Sequence, residues 1–233
     1  MNYKEIFPNK HAFLAVIHAE GISQAIDNSR IAIENGADGI FLIGHRITTG
    51  ALLSVYNAVE QHIPEGIWVG LNLLRERVYH DLANTIPLGC PGVWTDESGI
   101  FVREKFLDTS DAKRFKNDMK VRNPDILWFG GVAFKGQPPP KDVANLALVA
   151  KNFMDVVTTS GTKTGSAPDV EKLQIIRGAI GDHPLANASG TTPENVHLFK
   201  PYVDCFLVAT GISKSFTELD PVRVRAMADA IKS

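Results

Sequence analysis

The sequence holds only two cysteines, Cys90 and Cys205, in 233 residues. Nothing in their placement suggests a disulfide framework, and a chain this long can bury a core without one. Both are expected to be reduced packing residues in a cytoplasmic protein. A charge excess is lacking too: 24 Lys and Arg stand against 26 Asp and Glu, a formal net charge of −2 at pH 7. The basic residues are scattered, which argues against a nucleic-acid partner. No apolar run approaches the ~20 residues that cross a bilayer, so no transmembrane segment is expected. The N-terminal run, Ala12 to Ile17, has no small-residue cleavage site after it and reads as a strand rather than a signal peptide. Linkers and low-complexity tracts are also missing. The one Pro-rich patch, Gly136-Gln137-Pro138-Pro139-Pro140, falls where a loop after a strand belongs. One domain over residues 1–233 is the expectation.

What is there is a strict alternation. Apolar runs at 12–17, 39–43, 67–73, 92–95, 126–134, 154–159, 184–188 and 205–209 give eight candidate strands. Between and after them lie segments of helical period: 22–34, 49–62, 75–86, 110–121, 141–152, 168–180, 193–199 and 221–231. The strands are too uniformly apolar for a half-exposed antiparallel sheet, and the length suits one α/β barrel of roughly 250 residues. Ser166 with Asp169 three residues on suggests a capping box for the sixth helix, and Thr192 before Pro193 a hydroxyl cap for the seventh. Residues 96–110, between strand four and helix four, read as a long loop or a lid.

In such a barrel the residues at the C-terminal strand ends face the ligand. The strand ends supply His18 and Glu20, His45 and Arg46, Asn72 and Arg75, Asp96, Lys135, Thr162 and Lys163, Ser189-Gly190-Thr191, and Gly211, Ser213 and Lys214. Loops seven and eight make the strongest case, because Ser189 to Thr191 and Gly211 to Ser213 offer backbone N–H groups with little steric hindrance, where barrels commonly bind phosphate. The alternative is that Gly190 and Gly211 merely permit tight turns. If the anion site is there, a β-branched residue at position 190 is expected to block it by bulk. Lys135 and Lys163 are candidates for a reactive or charge-stabilising amine, or else solvated loop lysines. Asp96 is a candidate base or ribose ligand, or else the first residue of a turn. His18, Asn72, Arg75, Thr162 and Lys214 are candidate substrate contacts. His18, Glu20, His45 and Asp96 carry metal-ligating atoms, but their spacing is unspecific, and neither a metal nor another cofactor is expected. Trp68, Trp94 and Trp128, on three successive strands, read mainly as packing, with one at the mouth able to stack on a base.

The segments TTSGTKTGSAPDVEKLQIIRGAI, NASGTTPENVHLF, FLVATGISK and LDPVRVRAM, between Thr158 and Met227, resemble the BtpA/SgcQ family in order and spacing, with shorter echoes in GLNLLR, TDESG and AFKG. The resemblance implies a (β/α)8 TIM barrel of the phosphate-binding type. It implies roles for Gly161, Thr162, Gly165, Asp169, Gly190, Thr192, Pro193, Asn195, Gly211 and Lys214, with Asn72, Arg75, Asp96 and Lys135 as upstream counterparts. The chain departs from the family pattern at Val16 to Gly21, at Gly44-His45-Arg46, and around strand four.

Two function classes follow. One is an enzyme of transferase, nucleosidase or lyase type acting on a small phosphorylated metabolite, such as a sugar phosphate or a phosphoribosyl or nucleoside compound. The other is a non-catalytic assembly or regulatory factor that keeps the barrel and its anion site, and fold alone does not choose between them. Pairing into a homo-oligomer is expected, as in many barrels of this size.

Overall fold

Apolar runs with no polar face form strands only where both faces are covered, and here eight of them close on themselves. In the computed structural model, which describes residues 2–74, 79–103, 106–163 and 165–233, the barrel strands are β1 (Ala12–His18), β2 (Gly39–Ile43), β3 (Trp68–Asn72), β4 (Gly92–Thr95), β5 (Leu127–Gly131), β6 (Val156–Thr159), β7 (Leu185–Asn187) and β8 (Cys205–Val208). Each pairs in parallel with its sequence neighbour, and β8 returns to β1.

The two-residue alternation of a strand divides the core. Leu14, Val16, Phe41, Trp68, Trp94 and Phe129 fill the barrel, whereas Phe13, Ile17, Leu42, Trp128 and Phe206 belong to the layer under the helices. Helices Ile22–Glu34, Thr49–His62, Ser110–Arg122, Val143–Ala150, Val170–Ile180 and Pro221–Lys232 lie close to their expected spans. A helix also covers Tyr79–Thr85 in the third connection, where residues 75–78, including the candidate Arg75, lie outside the described residues.

Three local expectations change. The seventh connection is a 3-10 turn, Val196–Leu198, instead of an α-helix. Its cause is Asn195, whose side chain accepts from the Thr192 N–H at 2.7 Å and donates to the Gly190 carbonyl at 2.9 Å, so a side-chain turn competes with the helical ladder. The sixth helix is capped by Asp169, which directly precedes it and accepts from Glu171 N at 3.0 Å, rather than by Ser166, which lies three residues further back. The segment after β4 contains a small antiparallel hairpin, Phe101–Val102 against Leu107–Asp108.

At the opposite rim, helix Tyr3–Ile6 closes the barrel floor. Tyr3 Oη donates to the Asp204 carbonyl at 3.0 Å, and Phe7 meets Trp68 edge-on at 5.4 Å. The open end is therefore the C-terminal one, where the strand-end side chains gather.

Candidate functional site

His18, at the end of β1, and Asn72, at the end of β3, are at inward positions, two residues beyond Val16 and Gly70. Asp96 follows β4 in the same register as Trp94. Asn72 Nδ2 donates to Asp96 Oδ1 at 3.1 Å. Burial pushes the Asp96 carboxyl above its ordinary range, against the opposing pull of the Asn72 hydrogen bond and the Lys135 charge.

Lys135 arrives by a different route. Pairing runs in register through Gly130 and Gly131, so no bulge redirects β5. A Cβ at Gly131 would lie 2.1 Å from the Asp96 carbonyl oxygen, and the missing side chain lets the ends of β4 and β5 close together. The chain then turns sharply at Ala133, a non-glycine residue with φ of 48°. Gln137 ties this turn to β4, its Nε2 donating to the carbonyls of Asp96 at 2.7 Å and Gly131 at 3.1 Å. Ser160 Oγ accepts from Lys135 N at 2.8 Å, and the Lys172 ammonium donates to the carbonyls of Ala133 and Ser160. The turn leaves Lys135 half-buried with its ammonium 5.3 Å from the centre of the Phe134 ring. Burial pulls the Lys135 pKa below its ordinary value, opposed by the Asp96 charge.

Loops seven and eight form the other wall. Their carbonyls are tied back: Asn187 Nδ2 donates to Ser189 O, Asn195 Nδ2 to Gly190 O and Arg223 Nε to Gly211 O. What these turns can offer an anion is amides other than those of Thr192, Ile212 and Ser213, which donate to Asn195 Oδ1, Ala209 O and Thr210 O. The Ser189 hydroxyl faces loop six, donating to Ser166 O at 2.7 Å with Lys163 O at 3.1 Å. Gly190 has φ of +63°, and a Cβ there would lie 2.0 Å from Ala167 N, so the glycine is required by backbone packing between loops six and seven.

One mouth joins these walls. A cavity of about 250 Å³ is bordered by Asn72, Asp96, Gln137, Trp94 and Lys135, and a smaller chamber by His18, His45, Ser189, Gly190, Thr191 and Thr210. Trp94 and Lys135 border both. The larger of the two is just below the roughly 300–1,000 Å³ usual for ligand pockets, a size for a small metabolite. His18 and His45 meet edge to face at 4.9 Å, and burial lowers both pKa values, that of His18 to about 4.

Of the residues proposed from the sequence, His18, Asn72, Asp96, Lys135, Ser189, Gly190 and Thr191 border these cavities. Gly211 is packed against the Thr191 carbonyl, and Ser213 Oγ donates to Ala209 O at 2.8 Å, so Ala209 and Thr210 are the cavity-lining residues of loop eight. Thr162 and Lys163 are exposed on loop six, and the Lys214 ammonium is directed to Glu218 at 3.5 Å. The possible metal set is dispersed: Glu20 pairs with Arg46 at 2.9 Å and Asp96 with Asn72. His45, one of the strand-end residues, borders the smaller chamber without having been given a role, and Trp94, Gln137 and Thr210 join the lining as well. Trp94 is detectable by strand alternation from Asp96 and Thr210 by following the end of β8; Gln137 has no signal.

The relatives of this chain carry names of differing content. It is 31% identical over 232 residues to the uncharacterized protein PH1209 of Pyrococcus horikoshii, covering 92% of this chain and 88% of that one. It is 24% identical over 178 residues to the photosystem I biogenesis protein BtpA of a Synechocystis species, covering 71% and 62%. A shorter match, 33% over 95 residues, spans 40% of this chain and 36% of the uncharacterized protein PYRAB10620 of Pyrococcus abyssi. Among solved structures, thiamine phosphate pyrophosphorylase from Pyrococcus furiosus superposes with a TM-score of 0.66 at 15% identity, covering 97% and 98% of the two chains. The (S)-3-O-geranylgeranylglyceryl phosphate synthase of Thermoplasma acidophilum, in complex with sn-glycerol-1-phosphate, gives 0.67 at 14% identity, covering 100% and 99%. At such identities the shared property is the barrel fold. The sequence model of the BtpA family matches residues 15–233, and the chain belongs to that family.

Proposed function

We propose that this protein is an enzyme acting on a small phosphorylated metabolite, a sugar phosphate or a phosphoribosyl or nucleoside compound, in the cytoplasm. Its phosphate is held by the amides of the turns after β7 and β8. Asp96 moves a proton or grips a hydroxyl, and Lys135 stabilises negative charge that develops on the reacting group. The observation that carries this reading is the shared border: Trp94 and Lys135 line both the chamber under Ser189 to Thr191 and the cavity over Asp96. A ligand anchored by phosphate in the first would extend past Lys135 into the second. The opposite pKa shifts of Asp96 and Lys135 favour proton exchange between ligand and protein, because each group is closer to its neutral form than it would be in water. The exposed Lys163 is less suited to be the amine. Both structural neighbours cited above are named for phosphorylated compounds, which agrees with this choice of substrate class.

A thermal-shift series with inorganic phosphate, sugar phosphates, phosphoribosyl compounds and nucleotides tests the reading. A ligand of the native state raises the melting temperature with concentration, by about 2.7 kcal/mol of stabilisation at a hundredfold excess over Kd. Stabilisation by at least one phosphate ester is expected, and none from any of them overturns the reading. A second reading, an assembly factor, is favoured by one observation: the hairpin after β4 exposes Phe101, Val102 and Phe106.

A further inference from the structure

His18 is placed by more contacts than a strand-end residue needs. The residue is 8% exposed, and its ring forms a triangle with those of Phe216, 4.2 Å away, and His45, 4.9 Å away, which are themselves 5.5 Å apart. Its Nδ1 is 2.9 Å from the Phe216 carbonyl oxygen. A carbonyl only accepts, so Nδ1 carries the proton. In the neutral ring that leaves Nε2 as a bare acceptor, and burial, the neighbouring His45 and Lys135 all oppose the cation.

The carbonyl that fixes this tautomer belongs to loop eight. After Thr210, the chain makes an excursion closed by a bridge between Ser213 and Leu219. Its tip is fastened to the helix after β1: Gln24 Nε2 and Asn28 Nδ2 donate to Thr217 O at 2.7 and 2.8 Å, and Asn28 Oδ1 accepts from Leu219 N at 2.8 Å. Arg46 lies over the outer face of the arrangement, 5.0 Å from the Phe216 ring centre. The same loop thus borders the anion chamber at Thr210 and sets the proton of the histidine across it.

We propose that His18 Nε2 is the hydrogen-bond acceptor for a ligand hydroxyl, so that the site selects a phosphate ester bearing hydroxyls over one without them. A bare lone pair repels phosphate oxygens and carboxylates, and what it accepts is an O–H or N–H. This deepens the function proposed above and rests on it. His18 is here a specificity-determining residue, distinct from the Asp96 and Lys135 pair.

Calorimetric titration of the full chain with inorganic phosphate, n-propyl phosphate, glycerol phosphate and ribose 5-phosphate provides the test. At least one hydroxylated ester is expected to bind about tenfold or more tightly than propyl phosphate, the scale of one well-made buried hydrogen bond. In His18→Phe that preference collapses to within about threefold, and His18→Gln, which can present an amide oxygen, restores part of it. Absence of the preference in the wild type, or its survival in His18→Phe, overturns the inference while phosphate binding itself stands. If neither inorganic phosphate nor any ester binds, the proposed function fails and this inference with it. Long-range proton–nitrogen NMR of the wild type gives a second readout that does not depend on how the variants fold. It should place the proton on Nδ1 and leave Nε2 bare at pH 7, and a proton on Nε2 overturns the assignment.

Discussion

Asp96 is held in a way that stabilises its neutral form more than its charged one. Burial is the first cause of its raised pKa and outweighs both the Asn72 hydrogen bond and the Lys135 charge. With the folded pKa above the unfolded one, its contribution to stability is complete below the ordinary carboxyl range near 4 and is lost as pH rises through the raised value. At neutral pH the ionised group is therefore a net cost. Asp96→Asn keeps an oxygen for Asn72 and removes that cost. The variant should melt at or slightly above the wild-type temperature at pH 7, and the difference should vanish below about pH 4. Turnover of an identified substrate should fall by about 10²-fold or more in the same variant, and likewise in Lys135→Met. Melting curves from pH 3 to 8 together with kcat measure both effects. Near-normal turnover in both variants would remove the pair from the mechanism and leave only the phosphate anchor.

At the scale of elements, the barrel strands were legible because burial on both faces writes itself as an unbroken apolar run, as in Phe13 to Ile17 and Ile40 to Ile43. His18, Asn72 and Asp96 were legible for a related reason: each ends or directly follows a strand, so the pleat fixes its direction. Lys135 and Lys163 looked equivalent in sequence, since both follow apolar strands by a few residues. Loop conformation separates them, and that depends on the positive φ of Ala133 and on Gln137, Ser160 and Lys172, residues far apart in sequence. The seventh helix was lost to one side chain, Asn195. Gly190 reads in sequence either as an opening for a ligand or as the residue of a tight turn, and its Cα hydrogens face the backbone of Ala167, which the second reading explains. A side chain at 190 therefore strains the fold before it touches an anion. Gly190→Ala, and more so Gly190→Val, should cost about 3 kcal/mol or more, a fall in melting temperature of about 10 °C in a chain of this size. Scanning calorimetry checks this, and a Gly190→Val protein as stable as the wild type would show that the two loops can separate.

For the whole molecule, the mouth and the hairpin beside it make different demands on the surface. The mouth needs polar, partly desolvated groups, whereas the hairpin presents Phe101, Val102 and Phe106 at 40%, 57% and 64% exposure, beside the Arg103–Asp108 pair at 3.3 Å. Large apolar side chains clustered on a two-stranded projection are costly in water and are covered most simply by another protein surface. If a second copy of this chain covers them, light scattering at micromolar concentration should give a mass above the 25.4 kDa of one chain. The double substitution Val102→Thr with Phe106→Ser should then lower that mass without reducing turnover, because neither side chain borders the Asp96 and Lys135 cavity. A wild-type mass of one chain would remove the homo-oligomer. It would also give the assembly-factor reading its sharpest form, since the exposed hairpin would then be left for a different partner, and loss of function would follow substitutions in the hairpin while Asp96→Asn had no effect. The opposite pattern, with function lost at Asp96 and unaffected at the hairpin, belongs to an enzyme.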